Sequence, residues 1–285
     1  MPYLTSSGVR LYYEETGHGS KGRTPILFVH EYSGDYTSWE PQVRHFSRNY
    51  RCITFNARGY PPSDVPRPVS KYSQRIAVDD ARAVLDHLGI RKAHIMGCSM
   101  GSQTTLFFGL TYPRLAKSLT LIGIGTGADP ANAKVFRRDT EAKAKLMEEG
   151  GLAAAFKLVR VAANRVQLKD KNPRAWDEFC KRYMEHSALG CANITRGVQM
   201  HRPALHTLER KLKALKVPVQ VIVGDEDPGA LTAGVYIKTI CPSARLLVAP
   251  ATGHLVNNEE PELLNALSES FYAQVDTGRW KPRKV

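Results

Sequence analysis

The stretch Gly97-Cys98-Ser99-Met100-Gly101 reads G-x-S-x-G, and its reading decides the fold. Before it, His94-Ile95-Met96 is a short apolar run that follows Gly89-Ile90-Arg91-Lys92-Ala93. After it, residues 102–112 have the content of a helix ended by Pro113. A buried strand that enters a helix through so short a turn holds the middle residue in a strained conformation, with its hydroxyl exposed. The two glycines fit that geometry because no Cβ has to be accommodated on either side of Ser99. A chain of this length contains the pentapeptide by chance roughly one time in ten, given ordinary Gly and Ser usage. The flanking strand and helix therefore carry the reading, against a bland surface loop of small residues.

Outward from this turn, strands alternate with helices. Residues 9–16 alternate in polarity, and Ile26-Leu27-Phe28-Val29 and Cys52-Ile53-Thr54-Phe55 are runs suited to strands covered on both faces. Residues 39–50 and 72–88 have helical spacing, with Gly89 as a stop. Leu119-Thr120-Leu121-Ile122-Gly123-Ile124 predicts another strand. From 126 to 216 the alternation ceases, and four helical segments are expected, at 134–149, 152–166, 173–186 and 191–201. Alternation then resumes, with strands at 217–223 and 244–249 and helices at 231–240 and 258–275. This pattern predicts an α/β fold with a mostly parallel sheet. The core is assigned to 1–125 and 217–275, a helical insertion to 126–216, and a loosely held basic tail to 276–285.

At 285 residues, with 42% hydrophobic and 24% charged side chains, the chain has the composition and length of a globular protein with a sizeable core. Five cysteines without C-x-x-C spacing argue against a disulfide framework and a zinc site, and no leader-like or membrane-length apolar run is present. These features predict a cytoplasmic protein with no metal and no membrane partner. Of the net charge of +13, +9 falls within 126–216. No basic run interleaved with aromatics accompanies it, which argues against nucleic acid. Scattered cations on helices are ordinarily a solvated face, but near a site they would steer an anionic substrate. The partner expected is thus a small molecule, anionic if the charge has that purpose; a homodimer stays open.

A serine hydroxyl needs a base within hydrogen-bond reach and a carboxylate to orient that base. His254, after the last strand and before the last helix, is the histidine best placed for the first role. His87, His186, His201 and His206 lie on helical stretches, and His94 is expected to pack within the sheet. For the acid, Gly224-Asp225-Glu226-Asp227-Pro228 ends the strand at 217–223, where ligands gather in such sheets. Three carboxylates compete there.

Together, the order Ser99, Asp227, His254, the turn at Ser99, the His30-Glu31-Tyr32-Ser33-Gly34 loop and the interrupted alternation resemble the α/β-hydrolase superfamily over essentially the whole chain. The loop at 30–34 is similar to that family's H-G-x-x-G, and 224–227 to its G-x-x-D, which favours Asp227 over Asp225. Asn56-Ala57-Arg58-Gly59-Tyr60 resembles its D-x-R-G-x-G, with Asn for Asp. The resemblance implies that residues 126–216 form a lid. It also implies that the backbone N–H groups of Tyr32 and Met100 form an oxyanion hole, and that no cofactor is required.

Glu31 stands where the family commonly has glycine. Its expected roles are solvent exposure, an ion pair with an arginine, or tuning of Ser99, as in the similar Q-E-I-F-G loop of dienelactone hydrolases. Ser102 also departs from the usual Gly or Ala, and is small enough to keep the packing close. Because Ser rather than Asp occupies position 99, the resemblance argues against the dehalogenase and epoxide hydrolase branches. It leaves serine-dependent cleavage of esters or lactones first, with carbon–carbon, amide or thioester hydrolysis or a non-catalytic receptor as alternatives. Phe136, Arg160, Trp176 and Tyr183 are the candidates for a pocket lining.

Overall fold

The computed structural model describes residues 2–17, 22–125, 133–160 and 162–284. Eight strands form one sheet: β1 (Tyr3–Ser6), β2 (Val9–Thr16), β3 (Pro25–Val29), β4 (Arg51–Phe55), β5 (Ala93–Cys98), β6 (Ala116–Ile122), β7 (Val219–Gly224) and β8 (Ala244–Ala249). Their order is β1-β2-β4-β3-β5-β6-β7-β8. β2 runs antiparallel to β1 and β4, and every other pairing is parallel. Strand β1 is absent from the sequence-based expectation: four residues pairing only with β2 leave too short a pattern to read.

Side chains that alternate along each strand feed two apolar layers. Leu27 and Val29 of β3, Ile95 of β5 and Val221 of β7 face helices α2 (Gln74–His87), α3 (Met100–Thr111) and α9 (Pro228–Ile240). Ile26 and Phe28 of β3, Met96 of β5 and Ile222 of β7 face α1 (Glu40–Phe46) and α11 (Pro261–Asp276), where Phe46, Phe271 and Tyr272 are fully buried. Coverage on both faces explains why β5 and β7 are buried throughout and largely apolar. Helix α2 begins at the Ser73 N-cap, whose hydroxyl accepts from the Ile76 N–H.

Between β6 and β7 the chain is helical, in α4 (Ala133–Arg160), α5 (Ala163–Lys171), α6 (Pro173–Met184), α7 (Ala188–Ile194) and α8 (Glu209–Ala214). Among the described residues of this insertion there is no strand. Helix α4 is broken at Gly151, with φ 66° and ψ −172°, which divides the first two expected helices. A short wide turn, Thr195–Gln199, continues α7 where a single helix was expected. The expected start of the insertion, 126–132, lies outside the described residues. A four-residue helix, α10 (Val256–Glu259), precedes α11. No described helix is long and apolar enough to cross a membrane.

The C-terminal segment differs from the loose tail expected of it. Trp280 stacks edge-on against Phe271, its indole N–H donates to the Ser243 carbonyl, and the Arg283 N–H donates to Pro242. Trp280 and the hydrogen bonds of Arg283 and Arg245 together anchor it.

Candidate active site

Ser99 joins β5 to α3 at φ 52° and ψ −110°, a conformation that few side-chain-bearing residues adopt without strain. The packing around it enforces the turn. A Cβ on Gly101 would lie 2.0 Å from the Val29 carbonyl oxygen, and one on Gly97 would lie 2.3 Å from that of Gly101. Helix α3 can therefore start against the ends of β3 and β5 only with glycine at both positions. The Ser99 N–H donates to the Ile122 carbonyl, which ties the turn to β6. Ser102 does more than preserve close packing: its buried hydroxyl accepts from the Ile122 N–H at 2.8 Å and lies 2.6 Å from the Gly97 and Ile122 carbonyls. Cys98 is buried beneath the turn, and desolvation pushes its thiol well above the ordinary range, so it is held protonated.

His254 follows β8. Its Nδ1–H donates a short hydrogen bond to Asp227 Oδ2, which leaves Nε2 as the ring's acceptor. The three competing carboxylates separate cleanly. Asp227 is buried beside the imidazole at the start of α9, Asp225 is exposed and accepts from the Thr252 N–H at 3.1 Å, and Glu226 is exposed. The His254 ring packs on Gly123, where a Cβ would come within 3.3 Å of Nδ1. Gly123 directly follows β6, and Ile122 at the end of that strand is paired with Cys98 of β5. The imidazole thus lies over the strand end next to the one that carries Ser99.

Sequence reasoning missed Glu259. It is buried, and its two oxygens accept from the N–H groups of Gly253 (2.7 Å) and Leu255 (3.0 Å), the residues on either side of His254. Burial raises its pKa against the opposing pull of those two bonds. The signal that could have found it was Glu259 itself, five residues after the histidine in the helix-start segment.

The loop after β3 is fixed through His30. Its Nε2 lies 3.1 Å from the Ala57 N–H, which can only donate, so Nε2 accepts and Nδ1 carries the proton to the Glu31 carbonyl at 2.7 Å. The ring is neutral, in keeping with a pKa lowered by burial. Because a trans peptide sets C=O and N–H in opposite directions, anchoring the Glu31 carbonyl also fixes the direction of the Tyr32 N–H. The Tyr60 hydroxyl donates to the Tyr32 carbonyl at 2.7 Å, and the Tyr32 hydroxyl reaches Thr195 of the insertion. Among the described residues, neither the Tyr32 nor the Met100 N–H donates to a protein acceptor. Asn56, where the family motif has Asp, accepts from the Tyr36 N–H and donates to the Pro61 carbonyl, a pair of roles that an amide fills and an ionised carboxylate does not. Arg58 next to it forms a buried ion pair with Asp80.

Glu31 is 2% exposed and pairs with Arg165 of α5, Nη2 lying 3.0 Å from Oε2. Burial would raise its carboxyl, but the guanidinium overrides this and holds it below the ordinary value. Of the roles expected for this residue, the ion pair is the one observed. A cavity of about 250 Å³ opens above Ser99, walled by Tyr32, Lys143, Arg165, Gln199 and Arg202. Three of the four candidates expected from sequence lie elsewhere. Trp176 is packed with Leu168 and Leu255, Tyr183 is buried in a cluster shared by the insertion with Tyr32, Tyr60 and Met100, and Phe136 lines a neighbouring hollow. The Arg160 side chain lies outside the described residues. Hydrophobic size pointed to the insertion's interior, whereas the cations of the wall were hidden in its general basic excess.

A family model described as the alpha/beta hydrolase fold matches residues 24–261. The chain is 26% identical over 260 residues to 3-oxoadipate enol-lactonase 1 of Acinetobacter baylyi, covering 90% of this chain and 92% of that one. It is 31% identical to epoxide hydrolase 3 of Mus musculus over 121 residues, 42% of this chain and 32% of the relative. In three dimensions it resembles an enol-lactonase from Burkholderia xenovorans LB400 at a TM-score of 0.84 and 20% identity, covering 95% of this chain and 100% of that one.

Proposed function

The chain belongs to the alpha/beta hydrolase fold family, and on that premise we propose that it is a serine hydrolase that cleaves a carboxylic ester or lactone of a small molecule through an acyl-enzyme. Ser99 Oγ attacks the carbonyl carbon while its proton passes to Nε2 of His254. The imidazolium formed is stabilised by Asp227, which also fixes the tautomer. The carbonyl oxygen becomes an oxyanion and accepts from the N–H groups of Tyr32 and Met100; losing one such donor typically costs about 3 kcal/mol. The tetrahedral intermediate collapses, the alkoxide leaves with the proton held by His254, and the acyl-enzyme forms. Water, deprotonated by His254, then reverses the sequence and frees the acid. These steps balance without a cofactor.

The observation that carries this reading is the strained Ser99 at a strand end, beside a strand end covered by the His254 ring that Asp227 holds. An epoxide hydrolase mechanism would need a carboxylate at position 99 to form its alkyl-enzyme, and this chain presents a hydroxyl there. A cytoplasmic setting goes with the proposal; no disulfide links the five cysteines.

The test is turnover of a panel of aryl esters and small lactones. The expected result is an initial burst of the aryl alcohol equal to the enzyme concentration, and a fall in kcat of about 10⁶ in Ser99→Ala. A panel on which wild type and Ser99→Ala are equally inactive would contradict it.

A further inference from the structure

Three cations face the cavity above Ser99, and only one has an anion. Arg165 is neutralised by Glu31. Among the described residues neither Arg202 nor Lys143 makes an ion pair: the Lys143 ammonium rests 4.7 Å over the Tyr32 ring, and the Arg202 Nε is buried with no acceptor at all. Burial without a compensating charge lowers the affinity of Arg202 for its proton, to a pKa of about 10. Burial, and then repulsion by Arg165, lowers that of Lys143. Arg202 is partly exposed, with its Nε closed off from solvent, and a guanidinium beside a cavity with no counter-charge is unfavourable to the free protein. Its terminal nitrogens can offer parallel N–H bonds, a geometry matched by a planar carboxylate.

We propose that the cavity is an anion subsite, in which Arg202 and Lys143 hold a carboxylate carried by the acyl part of the substrate while Ser99 attacks the ester or lactone carbonyl at its other end. This deepens the serine hydrolase reading and rests on it. A cavity of about 250 Å³ has room for a short acyl chain with a terminal carboxylate. The carboxylate supplies the counter-charge that Arg202 and Lys143 lack among the described residues, and brings the local charge closer to neutrality. The remote charge thereby fixes the reacting carbonyl relative to Ser99, so its binding energy serves orientation.

The experiment compares monophenyl glutarate with phenyl hexanoate, an ester of similar length without the second charge, on the full-length protein. The expected ratio of kcat/KM, anionic over neutral, is at least tenfold in wild type. It falls by about tenfold, to near one, in Arg202→Gln, less in Lys143→Met, and recovers in part in Arg202→Lys, which keeps charge but not the fork. The Arg202→Gln variant is also expected to melt no lower than wild type, since a purely structural arginine would lower the Tm when removed.

A second arm separates this subsite from the chemistry. Ser99→Ala is titrated calorimetrically with monophenyl glutarate, with and without Arg202→Gln, which is expected to weaken binding at least tenfold. A ratio near one in wild type, or a ratio and an affinity untouched by Arg202→Gln, overturns the subsite while leaving the hydrolase intact. Arg202-dependent binding without turnover of any ester overturns the hydrolase and leaves the subsite.

Discussion

Glu259 shows at the scale of one residue how the site is held. Its carboxylate accepts two N–H groups that flank His254, so Glu259→Gln puts a donor where an acceptor is required and the loop must shift. A displacement of the imidazole by about 1 Å is expected to lower kcat about 100-fold with KM little changed, which steady-state kinetics will show. Asp227→Asn goes further, because an amide favours the wrong imidazole tautomer; a loss in kcat of about 10⁴ is expected. Ser99 and His254 could be named from their places after strands at the same sheet edge, whereas the choice of Asp227 among three carboxylates rested on the family resemblance. Glu259 could not, since an acidic residue at a helix start reads as a dipole partner until the loop it bonds is seen. Ser102 was hidden in the same way: only the pairing of β5 with β6 brings the Ile122 N–H to its hydroxyl.

At the scale of elements, the Glu31–Arg165 pair joins the loop after β3 to α5 of the insertion. With Glu31 2% exposed, removing one partner leaves a buried charge. Arg165→Met is therefore expected to lower stability by about 3–5 kcal/mol, and Glu31→Gln/Arg165→Met by less than the sum of the single changes. Urea unfolding of the four proteins measures this. The pH dependence has a definite sign. A carboxyl held below its ordinary value contributes stability that is complete above the unfolded pKa of about 4.3 and disappears as pH falls through the folded value. The stability difference between wild type and Glu31→Gln should thus be constant near neutrality and shrink as acid is added. The sequence marked Glu31 as a departure and an arginine as one answer, but the partner lies 134 residues away. Helix content of the insertion was legible from periodicity, whereas the break at Gly151 and the separate α5 depend on how these helices pack on one another.

For the whole molecule, residues 126–216 carry +9, and Lys143, Arg165 and Arg202 of that segment wall the cavity above Ser99. An anionic ester should accordingly show a kcat/KM that declines as ionic strength rises past the point where the Debye length is about 10 Å, while a neutral ester should not. The alternation of strands and helices disclosed the sheet because coverage on both faces writes largely apolar runs into β3, β5 and β7, interrupted by His94 and Gln220. The pocket wall was not legible, because solvated cations and cations that line a cavity have the same composition. The central claim, that the strained turn presents an activated Ser99 hydroxyl, is tested most directly by treating the protein with a fluorophosphonate and locating the adduct by peptide mass spectrometry. The account predicts stoichiometric modification of Ser99, abolished in Ser99→Ala and greatly slowed in His254→Ala. An unmodified Ser99 in the folded wild-type protein, or an adduct that persists in Ser99→Ala, would contradict it.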